Sequence, residues 1–345
     1  MKFIHTADIH LDSPLNGVSD GKTRRFELVK ALAGLADYAE NSGVQAVVVA
    51  GDLFDDKFAS DATIRAVADI IKNSRAKWFV LRGNHGDSTP YNKLHEICPT
   101  CSFFGDNWTT FRMGKVVFCG RELSSADQTP WQSLPIDKAD YNVVVLHGDV
   151  DNSVYGLIDC KALATNPVNY VAMGHRHGLQ MLSFGRNKGA YCGTLEARGF
   201  DETEPTGFIV VDTDKDEVMF VKQSLRRVVT KEVDLSRADS DLAAERIVAD
   251  AVADENTRNY LNLVLKGDLS EGLHAERVAQ NYLNGKFFAL RVKDYTRVRR
   301  DLNKLAAETS LRGEFVKLAM QIADENLRKE VLDVGLTVLS GEDLQ

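Results

Sequence analysis

The chain has 345 residues, of which 44% are hydrophobic and 27% are charged, and its formal net charge is −8 at pH 7. These values are typical of a globular protein with one large domain and a smaller one. The negative balance excludes a global basic field that would attract nucleic acid, so any such binding must use a local basic patch.

Three further features bear on compartment. No apolar run approaches the ~20 residues that a membrane-spanning helix needs. The N-terminus leads directly into strand-like sequence and does not read as a signal peptide. Five cysteines, an odd number, indicate a reducing compartment. Cys98 and Cys101 have CxxC spacing, but a structural zinc usually needs four ligands, and we interpret the pair as incidental thiols. The sequence therefore predicts a cytoplasmic protein with no membrane partner.

The first 81 residues alternate between strand and helix patterns. A short strand over Lys2–Thr6 precedes a helix over Thr23–Glu40, and a Val-rich strand over residues 46–50 follows. Ser60 can cap the next helix, and Trp78–Leu81 reads as a third buried strand. This β-α-β-α-β order predicts a sheet with helices packed on its face.

The next 140 residues are rich in strands. The predicted strands are Thr109–Met113, Lys115–Cys119, Asn142–Leu146, Tyr170–Met173, Gln180–Phe184, Ala190–Gly193, Gly207–Val211 and Glu217–Val221.

Polar residues that can bind metal ions or phosphate follow five of the apolar strands. They are Asp8 and His10, Asp52, Asn84 and His85, His147, and His175 and His177. The carboxyl ends of strands are where α/β proteins place ligands. One such residue is usually structural, but a set of carboxylates, imidazoles and an amide without thiols indicates two divalent metal ions that share a carboxylate.

The motifs D-x-H, G-D-L-F, G-N-H, H-G and G-H-x-H, in that order, resemble the calcineurin-like metallophosphoesterases. Residues 3–14 and the step at 51–54 resemble one branch, the SbcD and Mre11 DNA-repair nucleases, and especially the bacterial YhaO-type proteins.

The resemblance implies a fold, a metal site and an activity. The fold is a mixed α/β (α+β) class, a four-layer αββα sandwich with a small capping domain and C-terminal helices. One metal would take Asp8, His10, Asp52 and His177, and the other would take Asp52, Asn84, His147 and His175. His85 would face the phosphate and act with Asp52 in catalysis. The cofactors would be two divalent ions, with Mn expected and Fe, Mg or Zn left open.

Two positions depart from the branch. Related nucleases often carry Asp directly after G-N-H, where this chain has Gly86 and places Asp87 one residue later. Many also carry His after G-D-L-F, where this chain has Asp55. Both departures concern the rate and polarity of cleavage more than the metal site.

We predict three segments: a nuclease domain over residues 1–223, a capping domain over 224–295 and C-terminal helices over 296–345. The stretch from Arg291 to Lys304 holds six basic and two acidic residues, and it fits either a solvated helix face or phosphate contact.

Apolar stripes at Leu311, Phe315, Leu318 and Ile322 and at Leu327, Val331, Val334 and Val338 predict two late helices. They would pack on the body of the protein or, by resemblance, bind a coiled-coil ATPase of the SbcC/YhaN type.

The predicted function is a metal-dependent DNA nuclease, an exonuclease or endonuclease, acting in DNA repair with that ATPase. A homodimer is left open. Two alternatives stay open: a phosphoesterase for small nucleotides or other phosphodiesters, and a non-catalytic DNA-binding scaffold.

Overall fold

The computed structural model describes residues 1–15, 18, 20–55, 57–83, 88–123, 131–150, 156–270, 272–299 and 301–339. The strands are β1 (Lys2–Thr6), β2 (Ala46–Ala50), β3 (Lys77–Leu81), β4 (Cys101–Phe103), β5 (Thr109–Met113), β6 (Val116–Gly120), β7 (Tyr141–His147), β8 (Tyr170–Gly174), β9 (Gln180–Phe184), β10 (Asn187–Tyr191), β11 (Gly207–Asp212), β12 (Glu217–Lys222), β13 (Val228–Asp234), β14 (Tyr260–Leu269) and β15 (Ala289–Val298). The helices are α1 (Gly21–Asn41), α2 (Asp61–Asn73), α3 (Thr89–Ile97), α4 (Cys160–Thr165), α5 (Asp241–Val252), α6 (Ala275–Leu283), α7 (Leu302–Ala306), α8 (Leu311–Ala319) and α9 (Glu325–Leu339).

The chain forms two compact units. The first unit contains Met1–Thr230, Glu255–Asn262 and Leu283–Arg291, and the second contains Lys231–Asp254, Leu263–Tyr282 and Val292–Gln345. The three-segment division at residues 223 and 295 stays a prediction.

The first unit is built on two six-stranded sheets. One has the strand order β12-β11-β1-β2-β3-β4, and the other has the order β5-β6-β7-β8-β10-β9. Strands β1 to β4 are parallel to one another, as are β6, β7, β8 and β10, whereas the edge strands β12, β5 and β9 pair antiparallel to their neighbours. Both sheets are thus mixed, as predicted.

The Val-rich strand β2 explains how the layers form. Its alternate side chains enter two different cores: Val47 and Val49 pack with helices α1 to α3, while Val48 and Ala50 pack against the other sheet. A strand that is buried on both faces has no polar side, and this accounts for its continuous apolar run. Burial of Val47 and Val49 stabilises the packing of the helices on the sheet, and burial of Val48 and Ala50 stabilises the packing of the two sheets.

The second sheet repeats the arrangement on its own outer face. Val143 and Val145 of β7 face the first sheet, while Val144 and Leu146 pack with Leu163 of α4. The order of layers is therefore helix, sheet, sheet, helix. The predicted four-layer αββα sandwich is confirmed.

The second unit contains the helices α5 to α9. A separate sheet of three strands has the order β13-β14-β15. The interior of the C-terminal part of the second unit consists of Leu305, Val316, Ala319, Leu332 and Leu336. Most of the predicted apolar stripes lie outside that interior. Leu318 is 66% exposed and Val334 is 46% exposed.

The basic stretch from Arg291 to Lys304 does not form one solvated helix face, which was one of its two interpretations, while phosphate contact stays a prediction. Strand β15 continues to Val298, and helix α7 starts only at Leu302. Within the described part of the chain, no helix is long and apolar enough to cross a membrane. All five cysteines are free thiols, and Cys98 and Cys101 are buried.

Candidate metal centre

The site lies at the carboxyl ends of the central strands of both sheets. Asp8 and His10 follow β1, and Asp52 follows β2 in the same sheet, while His147 ends β7 and His175 follows β8 in the facing sheet. Because β1 and β2 are parallel neighbours, and β7 and β8 are as well, their ends deliver these side chains to one place.

The two loops after β1 and β2 are tied together through their backbones. The Asp8 amide donates to the Gly51 carbonyl (3.1 Å), and the His10 amide donates to the Asp52 carbonyl (2.9 Å). Asp8, His10 and Asp52 all have left-handed φ values, of 51°, 47° and 52°. Such backbone is uncommon outside glycine and is characteristic of functional sites. Three candidate ligands therefore adopt an unfavourable conformation within two adjoining loops.

One group of candidate metal ligands contains Asp8, His10 and His177. Each offers a ligand atom, and these atoms all lie within 4.8 Å of one another. The His10 and His177 rings meet edge to face, with centroids 5.2 Å apart. Asp8 and His10 are buried, and His177 is exposed at the rim.

A second group contains Asp8, Asp52 and His147, again within 4.8 Å. Asp52 Oδ2 lies 3.3 Å from Nε2 of His147 and 3.6 Å from Nε2 of His10. Nδ1 of His147 lies 2.9 Å from the Ala50 carbonyl oxygen. Asp52 thus contacts imidazoles from both predicted ligand sets, the position that a shared carboxylate needs.

The predicted ligands are placed as follows. Asp8, His10, Asp52, His147 and His177 come together in the two overlapping groups. The backbone amide of His175 donates to both oxygens of Asp8 (3.0 and 3.1 Å), and its ring centroid lies 5.4 Å from that of His147. Asn84, His85 and Gly86 lie outside the described residues. The assignment of ligands to individual metals stays a prediction.

Electrostatics indicate that this cluster needs positive charge. Burial raises the pKa of Asp8 to about 6, although the neighbouring His147 opposes the shift. Burial lowers the pKa of His147, but the carboxylates of Asp52 and Asp8 outweigh it and raise the value to about 9. The two buried carboxylates therefore favour a positive charge beside them.

The donor set fits divalent metal ions. Two carboxylates that are 0% and 2% exposed, surrounded by imidazoles, are N/O ligands of the kind that Mn, Fe and Zn accept. The residues present are therefore chemically suited to hold such ions.

Two glycines make room for the cluster. A Cβ atom on Gly51 would lie 2.1 Å from His147 Nδ1, and one on Gly83 would lie 2.2 Å from Asp52 Oδ1. Both glycines have positive φ values, 101° and 98°. They occupy the turns after β2 and β3, where the backbone approaches a candidate ligand closely.

Two glutamates beside the site were not predicted from the sequence. The Glu122 carboxylate accepts from the backbone amides of Arg82 (2.6 Å) and Gly83 (3.2 Å) and so holds the start of the loop after β3. Glu202 lies 3.0 Å from Nδ1 of His177. Both glutamates lie in loops, where no periodicity marks them, and only the folded structure reveals their contacts.

Asp55, where many related nucleases carry His, lies beside the loops after β1 and β2. Its backbone amide donates to the Leu11 carbonyl (2.9 Å), which joins the loops after β1 and β2 once more. The effect of its carboxylate on activity stays a prediction.

A family model described as calcineurin-like phosphoesterase matches residues 1–179. The chain belongs to this family. The match contains all the described candidate ligands, and the family identity implies a hydrolase of phosphate esters that uses divalent metal ions. The predicted resemblance is confirmed.

Curated relatives of this phosphoesterase share low identity with it. It is 24% identical to "Uncharacterized metallophosphoesterase YhaO" of Bacillus subtilis, over 79% of this chain and 73% of that protein. It is 25% identical to "DNA double-strand break repair protein Mre11" of Archaeoglobus fulgidus, over 57% of this chain and 50% of that protein. For Mre11 of Methanosarcina mazei the identity is 22%, over 98% of this chain and 56% of that protein. The chain thus spans about half the length of these two Mre11 proteins.

Proposed function

We propose that this phosphoesterase is a DNA nuclease that requires two divalent metal ions, Mn²⁺ foremost, and works in DNA repair with a coiled-coil ATPase of the SbcC/YhaN type. The observation that carries the proposal is the pair of ligand groups that share Asp8, with Asp52 of the second group 3.6 Å from Nε2 of His10 in the first.

The carboxylates and imidazoles of the two groups would bind the metal ions. When bound, divalent ions supply Lewis-acid polarisation of a phosphate and activation of water. The chain itself fixes the ligand atoms in advance: the Ala50 carbonyl holds Nδ1 of His147 so that Nε2 faces Asp52, and the His175 amide orients Asp8. Such pre-organisation lowers the reorganisation needed during the reaction. We assign to His85 the role of charge stabiliser and proton donor at the leaving oxygen.

DNA as substrate is supported by the relatives. Two of those reported above bear the name DNA double-strand break repair protein, and the similarity to the Methanosarcina mazei protein extends over 98% of this chain. It therefore includes the residues beyond 223 as well as the metallophosphoesterase domain. A phosphoesterase for small nucleotides would not need this additional region.

The ATPase partner is supported by the surface of the last two helices. Leu311 and Leu318 of α8 are 77% and 66% exposed, and Leu327, Val334 and Val338 of α9 are exposed as well. An apolar face of this kind on a helix is suited to a groove on another protein.

The catalytic proposal is tested by a substrate panel. Metal-free protein, reloaded with Mn²⁺, is assayed on blunt, hairpin and single-stranded DNA, on a cyclic nucleotide and on bis(4-nitrophenyl) phosphate. We expect cleavage of DNA that depends on Mn²⁺ and is lost in Asp52→Asn, a variant that keeps the size of the side chain. Cleavage of the small substrates alone would overturn the DNA assignment, and cleavage of none would support a scaffold.

The partner proposal is tested by Leu318→Asp and Val334→Asp. Each places a charge on the exposed apolar face, and we expect loss of co-purification with the ATPase but unchanged DNA cleavage by the isolated protein. Asn326→Asp is the matched control, because it adds the same charge at an exposed position of α9. Retained binding by both variants would refute the assignment.

A further inference from the structure

His177 is the most exposed of the described candidate ligands that form the two groups, and a carboxylate supports its ring. Oε1 of Glu202 lies 3.0 Å from Nδ1 of His177. The Glu202 side chain is 7% exposed, whereas the His177 side chain is 39% exposed. The contact therefore joins a ligand at the rim of the site to a buried carboxylate.

Arg198 holds the carboxylate in place. Its backbone amide donates to Oε2 of Glu202 (2.7 Å), its Nε donates to Oε1 (3.1 Å), and its Nη2 forms an ion pair with Oε1 (2.5 Å). A guanidinium that binds a carboxylate at several points fixes its orientation as well as its charge.

This geometry selects a tautomer of His177. Nδ1 lies 3.1 Å from Nη2 of Arg198 as well as 3.0 Å from Glu202, and the two contacts require opposite roles of Nδ1. An ionised carboxylate only accepts, so a lone pair on Nδ1 would face the negative Oε1 atom of Glu202 at 3.0 Å, whereas Nη2 can donate to Oε1 without any bond to Nδ1. The arrangement is satisfied when Nδ1–H donates to Glu202, which leaves the lone pair of His177 on Nε2.

The segment that carries Glu202 also holds the His177 backbone. The Thr194 amide donates to the His177 carbonyl (3.0 Å), and the adjacent Gly193 has a φ of 71°. A Cβ atom on Gly193 would lie 3.0 Å from that same carbonyl. One segment after β10 therefore positions both the backbone and the ring of His177.

The segment is itself anchored in the first unit. Glu196, two residues beyond Thr194, accepts from Nη2 of the buried Arg24 (2.8 Å) and from the Leu225 amide (2.7 Å). Such buried, multiply bonded carboxylates move little, so Glu202 is presented from a rigid support.

We propose that Glu202 is a positioning residue for the metal centre: it holds His177 with Nε2 directed to the metal, and Arg198 fixes Glu202 for that task. The inference rests on the proposed metal-dependent function. It assigns to Glu202 the second hydrogen bond that metal-ligating histidines usually make. For His147 the Ala50 carbonyl fills this place, so the two imidazoles are oriented by different groups.

The expected size of the effect follows from this role. Loss of such an outer partner typically weakens metal affinity 10–100-fold. We expect Glu202→Ala to weaken Mn²⁺ binding within this range. Glu202→Gln, which keeps an acceptor oxygen but loses the charge, should show a smaller loss.

The test is a calorimetric titration of Mn²⁺ into the metal-free full-length protein. Asp201→Asn is the matched control, because it removes the same charge from an exposed side chain one residue away, and it should bind like wild type. In a His177→Ala background, Glu202→Ala should cause no further loss, since Glu202 acts through that ring. Circular dichroism of each metal-free variant checks the fold, and the nearly isosteric Glu202→Gln keeps the test decisive if Glu202→Ala unfolds.

Two results would overturn the inference. One is wild-type Mn²⁺ affinity in both Glu202 variants. The other is an undiminished loss in the His177→Ala background, which would place the action of Glu202 elsewhere. These results differ from a failure of the proposed function, which would appear in the wild-type protein itself as absent Mn²⁺ binding or absent DNA cleavage.

Discussion

Gly51→Ala should damage the metal centre more than the fold. Gly51 has a φ of 101°, and a Cβ atom there would lie 2.1 Å from Nδ1 and 2.6 Å from Cγ of His147. Ordinary contacts between such atoms are about 3.5 Å, so the ring must move by more than ~1 Å. The movement breaks its hydrogen bond to the Ala50 carbonyl and displaces Nε2 from Asp52.

The magnitude has two parts. Unfavourable backbone in an L residue costs about 1–3 kcal/mol of stability. A shift of ~1 Å in a reacting group lowers the rate by roughly 10²-fold, and a misplaced ligand weakens metal binding by about 10-fold or more. We therefore expect a modest loss of stability together with a large loss of Mn²⁺ affinity and phosphodiester hydrolysis.

Gly43→Ala separates the two parts. Gly43 also has a positive φ, 64°, but a Cβ atom there would meet nothing within 4 Å. It lies before β2, at the end opposite to Asp52, so it reports backbone strain without the clash. Urea unfolding, metal content and the hydrolysis rate are measured for both variants. Wild-type metal content and rate in Gly51→Ala, or equal loss of both in Gly43→Ala, would refute the reasoning.

Three further predictions concern other parts of the molecule. The metal-free protein should lose stability as pH rises from about 6.5 to about 9, because folding raises the pKa of His147. The resulting stabilisation is complete below pH 6.5 and is lost as the proton leaves. Thermal unfolding across this range is the measurement, and a flat profile would contradict the prediction. Arg24→Met should lower the free energy of unfolding by about 3 kcal/mol or more, because it leaves the buried Glu196 without its ion partner. A change in this free energy of less than ~1 kcal/mol, measured by urea unfolding, would contradict the prediction. Gly335→Ala should destabilise the second unit, because its Cβ atom would lie 2.0 Å from Cζ of Phe315. The substitution would otherwise favour a helix by ~1 kcal/mol, so a higher melting temperature would contradict the prediction.

The strands that position the site could be predicted because they are buried on both faces. Continuous apolar runs such as Val47–Val49 leave few alternatives to a central strand, and the polar residues just beyond them must then lie at the sheet edge. The same local logic failed for Arg291 and its neighbours. Alternating basic residues fit a solvated helix or an edge strand equally well, and pairing within the β13-β14-β15 sheet decides in favour of the strand.

The support around the ligands could not be predicted. Glu202 lies 25 residues after His177, and their contact depends on how the segment after β10 returns to the end of β8. Nor does the sequence show that Asp8, His10 and Asp52 take left-handed φ values, since neighbouring backbone bonds impose them. Contacts of this kind arise from tertiary structure and carry no periodic signal.

The most direct test of the central claim is a titration of Mn²⁺ into the metal-free protein, with bound metal and DNA cleavage followed together. The overlapping ligand groups predict that binding saturates at two ions per chain and that cleavage rises with the second. Saturation at fewer than two ions, or two bound ions without any cleavage, would contradict the claim.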